Sequence, residues 1–193
     1  MTDAGAALGR TGLPDDLKAL LARYPRSDWA THENLGGMAR FWLERHAMFR
    51  DLGAMLQGSI GEWREGRIDS NGFAGFFMPR LNFFLGQLEG HHSIEDHHYF
   101  PVFRAAEPSL ARGFDLLDHD HHVIHEALHA NAGAANAFIA ALGAGGDALK
   151  RTGEHHAEEN TRLIAMLMRH LDDEEDLIIP VILERGEEAL GVG

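Results

Sequence analysis

Four long segments with the apolar periodicity of a helix constrain the fold of this chain more than any other feature. Between residues 33 and 186, apolar side chains recur at alternating three- and four-residue spacing, which places them on one face of each segment. Clusters of Gly, Pro, Asn and Asp at 65–72, 105–113 and 143–147 separate the segments. Because such helices bury their apolar faces against one another, the sequence predicts an all-α fold, an up-down-up-down four-helix bundle.

The predicted bundle accounts for most of the chain. We expect it to occupy residues 34–186. Residues 1–33 contain the short helical stretch PDDLKALLARY, so we expect them to form a short N-terminal helical appendage that packs on the bundle. Residues 187–193 are expected to form a short tail.

Histidine is the most unusual part of the composition, with 14 copies, most of them in three groups at 91–98, 119–129 and 155–170. Residues that bind metals interrupt the apolar stripe of every predicted helix. In chain order these are His46; His91 and Glu95; His121 and His125; and His170 with Glu174 or Glu175. Counted from the shared end of the bundle, and at a rise of ~1.5 Å per residue, they fall in one layer roughly 15–24 Å above that end.

A buried layer of ionisable groups requires compensation, because unpaired charges in a core cost several kcal/mol. A bound metal provides it. The chain contains no cysteine, so the ligands would be nitrogen and oxygen. Imidazole with carboxylate suits iron, zinc or manganese.

Four motifs carry a resemblance to a known family: a His in RHAMFR, His-x3-Glu in HHSIE, His-x3-His in HHVIH and His-x4-acid in HLDDEE. With these motifs in order on four predicted helices, residues 33–186 resemble hemerythrin and the bacterial hemerythrin-like HHE cation-binding domains. The resemblance implies a four-helix bundle with a non-heme di-iron site, at which the founding members bind dioxygen reversibly.

The resemblance also implies the ligands and cofactors. One iron ion would be held by His121, His125 and His170, and the other by His46 and His91. Glu95 and Glu175 would bridge the pair, together with an oxo or hydroxo group.

Two choices of register stay open. Glu174 lies four residues after His170 and nearer to its helical face than Glu175, since a five-residue step rotates by about 140°. The family pattern favours Glu175, and Glu174 is held in reserve. The doubled histidines allow a shift by one residue, which the apolar stripes disfavour: His92 and Asp96 for His91 and Glu95, or His122 for His121.

An internal repeat relates HHSIEDHHYFP (91–101) to HLDDEEDLIIP (170–180). Both have His, acids four and five positions later, and Pro at the tenth. The second and fourth helices of the bundle run the same way, so the repeat predicts two like half-sites side by side. Pro101 and Pro180 are expected to end or bend each helix just past the ligands.

Charge and hydropathy exclude several classes of partner. The formal net charge of −13, without clustered Lys and Arg, argues against nucleic acid. No apolar run approaches the ~18 residues of a membrane span, and no basic segment followed by an apolar one opens the chain, so we expect no membrane partner and a cytoplasmic location. The small residues of 129–146 leave a homo-oligomer open beside close packing within one bundle.

These features predict a non-heme di-iron protein that binds dioxygen, or another small diatomic, reversibly for sensing, storage or transport, rather than an enzyme. A ferritin-like di-iron oxidase is the main rival, because such sites use Glu-x-x-His pairs. It ranks lower, since the predicted layer has five histidines to about two acids. A metal-buffering or sensing module is the second rival.

Overall fold

A computed structural model describes residues 8–193, which are almost entirely helical. In chain order the α-helices are α1 (Ala19–Arg23), α2 (Arg26–Trp29), α3 (Gly37–Arg64), α4 (Ser70–Ile94), α5 (Phe100–Ala106), α6 (Ala111–Ala141), α7 (Gly146–Arg185) and α8 (Glu187–Leu190). Short 3-10 turns cover Asp15–Leu17 and Pro108–Leu110, and a π turn, Glu95–Tyr99, joins α4 to α5. No strand occurs among these residues, so the all-α prediction is confirmed. Within the same range, every helix is too short or too polar to cross a bilayer.

The four long helices form a closed ring of neighbours. Helix α3 packs on α4, α4 on α6, α6 on α7, and α7 returns to α3. Two apolar clusters fill the space between them. The lower core includes Trp42, Phe103, Phe114 and Ile178. The upper core includes Phe49, Phe84, Phe138 and Leu167.

The chain crosses between the two cores four times, in alternating directions. Helices α3 and α6 run from the lower to the upper core, whereas α4 and α7 run back. This alternation confirms the up-down-up-down bundle. Along the chain, the change from one core to the other falls at His46, at His91 and Glu95, at His121 and at His170, so these expected ligands lie at one level.

Both ends of the chain pack against the lower core. The segment before α3 buries Leu13, Leu17, Trp29 and Leu35 there. At the other end, the carboxylate of Glu187 accepts hydrogen bonds from the backbone N–H groups of Met38 (3.2 Å) and Ala39 (2.8 Å). It therefore caps the N-terminus of α3 from outside that helix. Gly36 permits this approach, because an added Cβ would overlap the Glu187 carboxylate.

The two copies of the internal repeat differ in backbone geometry. Helix α7 continues through Pro180 to Arg185, whereas the first copy widens into the π turn just before Pro101. Pro101 lacks an N–H, and its ring crowds the carbonyl four residues earlier. A wider turn relieves that crowding and is common at functional sites. The two halves of the repeat therefore do not share one backbone geometry, and the expectation that Pro180 ends its helix is wrong.

Candidate metal centre

Ligand-type side chains from all four long helices meet between the two cores in two groups. The first, called the two-histidine site below, contains His46, His91, Glu95 and Glu174; the second, the three-histidine site, contains His92, His121 and His170. Within each group the candidate ligand atoms lie within 4.8 Å of one another. Together the two groups form the polar layer.

The imidazoles of each site converge on a common point. The Nε2 atoms of His46 and His91 lie 3.1 Å apart. Those of His121 and His170 lie 3.0 Å apart. Two nitrogens that bind one ion at ~2.1 Å and at right angles are separated by about 3.0 Å. The rings therefore have the spacing that a shared ion requires.

Glu95 reaches both sites with its two carboxylate oxygens. Its Oε1 lies 2.9 Å from Nε2 of His91 in the two-histidine site. Its Oε2 lies 3.6 Å from Nε2 of His121 in the three-histidine site. One oxygen for each site is the arrangement of a carboxylate that bridges two ions.

Glu174 spans the two sites from the opposite half of the repeat. Its Oε1 lies 3.5 Å from Nε2 of His46, and its Oε2 lies 3.2 Å from Nε2 of His170. The indole Nε1 of Trp42 donates a 2.7 Å hydrogen bond to the same Oε1. This buried hydrogen bond fixes the carboxylate between the sites.

In three of the imidazoles, the nitrogen that faces away from the layer, Nδ1, contacts a carboxylate of its own. These pairs, measured at Nδ1, are His46 with Glu175 at 3.0 Å, His121 with Asp96 at 2.7 Å, and His170 with Asp120 at 3.4 Å. An N–H donated from Nδ1 leaves the lone pair of Nε2 directed into the layer. Metal-binding histidines are usually oriented in this way.

Arginines in turn hold two of these orienting carboxylates, Glu175 and Asp120. Arg50 and Arg26 each donate to Glu175 at 2.7 Å. Arg10, in the segment before α1, donates to Asp120 at 2.6 Å. The Arg50 and His46 contacts outweigh burial and lower the pKa of Glu175 to about 2. The orienting carboxylate therefore stays ionised.

Burial and neighbouring charge act in opposite directions on the imidazoles. Burial alone disfavours the charged ring, and it lowers the pKa of His91, which also faces other histidines, to about 3. For His170, the hydrogen bonds to Asp120 and Glu174 outweigh burial and raise the pKa to about 9. The layer thus combines neutral and charged imidazoles.

The two central carboxylates differ in the same way. Burial and the adjacent Glu174 charge raise the pKa of Glu95 well above its usual value. Glu174 is equally buried, but His46 and His170 lower its pKa well below the usual value. Protons therefore offset part of the buried charge, and a bound cation would displace them.

Several buried atoms of the layer have no hydrogen-bond partner among residues 8–193. They are Nε2 of His92, both carboxylate oxygens of Glu95 and Oε2 of Glu174. Leaving such a group unpaired costs ~1–3 kcal/mol. All four atoms are ligand types for a divalent cation. Five imidazoles and two shared carboxylates fit a pair of ions bound by nitrogen and oxygen.

A family model, the hemerythrin HHE cation binding domain, matches residues 37–182. The chain belongs to this family. The match starts at the first residue of α3 and ends inside α7, so it covers the four helices of the HHE bundle and excludes both chain ends. Neither a curated protein nor a solved structure matches the chain.

Five of the seven ligands expected for the HHE site lie together in the layer: His46, His91, Glu95, His121 and His170. Glu174, the reserve choice, lies in the layer with them, whereas Glu175 does not belong to either group. The four-residue step from His170 keeps Glu174 on the inner face of α7. Glu175 is rotated further and contacts His46 from the outer side.

His125 is the second expected ligand that lies outside the two groups. It is exposed, and its Nε2 lies 3.0 Å from that of His129, outside both groups. His125 lies one helical turn beyond His121, above the level of the layer. His92 takes its place and stacks on His121 at 4.0 Å. Both members of the doubled His91–His92 pair thus lie in the layer, one in each group.

An apolar pocket of about 240 Å³ between α3 and α4 adjoins the two-histidine site. His91 and Glu95 contribute to its lining, together with Met38, Phe41, Trp42, Ile94 and Tyr99. The apolar residues of the sequence suggested a small pocket beside the metals with Trp42, Phe49, Phe84 and Leu88 as its walls; of these four, Trp42 lines the pocket in the structure. The pocket gives the HHE centre an apolar approach from the surface.

Proposed function

We propose that this HHE domain holds two iron ions and binds dioxygen, or a related small diatomic, reversibly for sensing, storage or transport. The observation that supports this proposal best is the sharing of Glu95 and Glu174 between two adjoining groups of imidazoles. A carboxylate shared in this way suits a pair of ions rather than a single one.

Each side chain of the layer has a separate role in the proposal. His46 and His91 hold one ion, and the three-histidine site holds the other. Glu95 and Glu174 bridge the pair. The two-histidine site offers one nitrogen fewer, which leaves a position for a small molecule. When bound, a ferrous pair supplies the two electrons that dioxygen takes up on binding and returns on release.

The apolar pocket supports binding at the two-histidine site. Dioxygen is apolar, and a lining of Phe41, Ile94 and Trp42 favours its entry over that of water. The indole of Trp42 also holds Glu174, so one residue links the wall of the pocket to the bridging carboxylate. An apolar lining also leaves water few hydrogen-bond partners beside a reduced centre.

Metal analysis combined with visible spectra of the reduced protein tests this function. We expect about two irons per chain, and a colour that develops in air and fades when oxygen is removed. One zinc per chain, no metal, or a colour that never fades would contradict the proposal.

A matched pair of variants tests the ligand set. His92→Ala should lose the ion of the three-histidine site, whereas His125→Ala should keep both ions, because His125 lies outside the layer. Retention of both irons by His92→Ala, or loss of one by His125→Ala, would restore the set that the family pattern implies.

A ferritin-like iron oxidase is the second candidate function. A second pocket, rich in His, Asp and Glu, adjoins the three-histidine site and favours this candidate, because it offers ligands to iron as a substrate. Repeated additions of ferrous iron in air distinguish the two functions. An oxidase consumes oxygen with every addition, whereas a reversible binder stops after one equivalent of its centre.

A further inference from the structure

The second pocket, of about 410 Å³, opens between α4 and α6, on the other flank of α4 from the apolar pocket. Nine residues line it, and all except Ser93 are His, Asp or Glu. No Lys or Arg belongs to this lining. The pocket therefore has the composition of a binding surface for cations, whereas the apolar pocket offers a cation mainly carbon and the guanidinium of Arg45.

The inner wall of this polar pocket belongs to the three-histidine site. His92 and His121 both line it. His92 is 6 % exposed, and its Nε2 has no hydrogen-bond partner in the described chain. The pocket thus extends from the surface to two of the imidazoles that the proposed centre uses.

At the outer end, a histidine pair is already arranged as a chelate. His125 and His129 are exposed and one helical turn apart on α6, and their Nε2 atoms lie 3.0 Å apart. The separation equals that of His121 and His170 inside the layer. A hydrogen bond between two neutral rings would also explain the 3.0 Å between these Nε2 atoms. It does not account for the fact that His125 lines the pocket.

Helix α6 places these histidines in a row that leads inward. His121, His125 and His129 are spaced four residues apart and so share one face, with ~6 Å between successive positions. The exposed carboxylates of Glu89 and Glu126 stand beside the row. A cation moving along it meets a new ligand at each turn.

We propose that the polar pocket is the port through which a divalent first-row metal ion reaches the buried centre, and that His125 and His129 hold the ion first. The inference rests on the proposed function, since it requires ions in the layer. The ion passes from this pair to His92 and His121, which carry it into the three-histidine site. The apolar pocket then remains free for the small ligand.

The rate of loading is the decisive test. Metal-free wild-type protein and the double variant His125→Ala/His129→Ala receive limiting Co²⁺, and the visible absorption of the buried centre is followed by stopped flow. We expect the double variant to load at least about tenfold more slowly, as for other steered associations, and to reach the same final absorption. His155→Ala removes an exposed histidine of α7 outside the pocket and should load at the wild-type rate. Equal rates in wild type and double variant would overturn the port.

A second titration separates failure of the port from failure of the centre. Wild-type protein with its centre loaded should bind one further, weaker Ni²⁺, which the double variant should not bind. Equal Ni²⁺ uptake by both proteins would overturn the role of the histidine pair. If no buried absorption develops in wild type, the proposed function fails, while the Ni²⁺ titration still reports on the pair.

Discussion

Buried histidines occur in two regions of this molecule: carboxylates surround them in one region and phenylalanine rings in the other. In the polar layer, His170 is fully buried but faces Asp120 and Glu174, and its pKa is raised to about 9. In the upper core, His156 is 1 % exposed and is surrounded by Phe73, Phe77 and Phe138. Burial without a carboxylate lowers the pKa of His156 to about 4.

The comparison shows that burial alone does not identify a metal ligand. Both regions contain imidazoles that are almost wholly buried, yet acids meet them in only one. The layer is built so that charge is tolerated, whereas the surroundings of His156 tolerate only a neutral ring. We infer that His156 is a packing residue.

The largest effect is expected at Glu174. Glu174→Gln keeps the size of the side chain but removes the charge that both sites share. We expect both ions to bind more than about 100-fold more weakly, because the loss exceeds that of an orienting group. Metal content after dialysis against a chelator measures it.

Glu175→Gln is the matched control for Glu174→Gln. Glu175 contacts His46 from outside the layer, so its loss should weaken binding by only about 10–100-fold. Circular dichroism of both metal-free proteins verifies the fold. If Glu175→Gln proved the more damaging change, Glu175 would be the bridging residue after all.

The bundle and the level of the layer were predictable from the sequence, because both depend on helical periodicity alone. The choice between neighbouring residues was not. His91 and His92 point about 100° apart on an ideal helix, and a single apolar stripe selects one of them. In the structure, α3 lies on one side of α4 and α6 on the other, so each histidine meets a different site.

The contacts of the orienting arginines could not be predicted from the periodicity of single helices either. Arg50 follows no spacing that marks an anion site, and Arg10 and Arg26 precede the bundle altogether. Their partners lie more than 100 residues away in the chain. Contacts of that kind depend on how the N-terminal segment crosses the bundle, which no local pattern encodes.

The second prediction concerns His156 and pH. Its pKa is about 4 in the folded protein and ~6.5 in the unfolded chain, so between these values only the unfolded chain binds the proton. The contribution of His156 to the free energy of unfolding should therefore be greatest above pH ~6.5, and it should fall by about 3 kcal/mol as the pH is lowered to 4. Urea unfolding of wild type and His156→Leu at several pH values isolates this contribution.

The measured quantity is the difference in free energy of unfolding between wild type and His156→Leu at each pH. The acids of the layer titrate in both proteins, so their effect cancels in this difference. His155→Leu serves as the exposed neighbour and should follow wild type. A constant difference between wild type and His156→Leu from pH 7.5 to 4.5 would show that His156 has a charge partner, and the contrast between the two regions would collapse.

The third prediction compares the arginines that support the two sites. Arg10→Gln removes the guanidinium that holds Asp120, and thereby loosens His170. Arg50→Gln leaves Glu175 still bound to Arg26. We expect about tenfold or greater weakening at the three-histidine site for Arg10→Gln, and a smaller loss at the two-histidine site for Arg50→Gln. Chelator competition that resolves the two ions measures both, and a larger effect of Arg50→Gln would contradict the reasoning.

The smallest effect is expected from two buried asparagines, Asn131 and Asn160, of α6 and α7. Asn131 donates a long hydrogen bond of 3.4 Å to Asn160, and the remaining amide atoms, Oδ1 of Asn131 and Nδ2 of Asn160, have no partner within the described chain. Replacing one partner leaves the other unpaired, so Asn160→Leu should cost ~1–3 kcal/mol. The double variant Asn131→Leu/Asn160→Leu removes both polar groups, and its free energy of unfolding in urea should lie within about 1 kcal/mol of wild type.

Metal content should stay at the wild-type value in both variants, because polar groups outside the layer contribute packing and not ligands. A double variant that lost its ions would mean that this pair communicates with the centre.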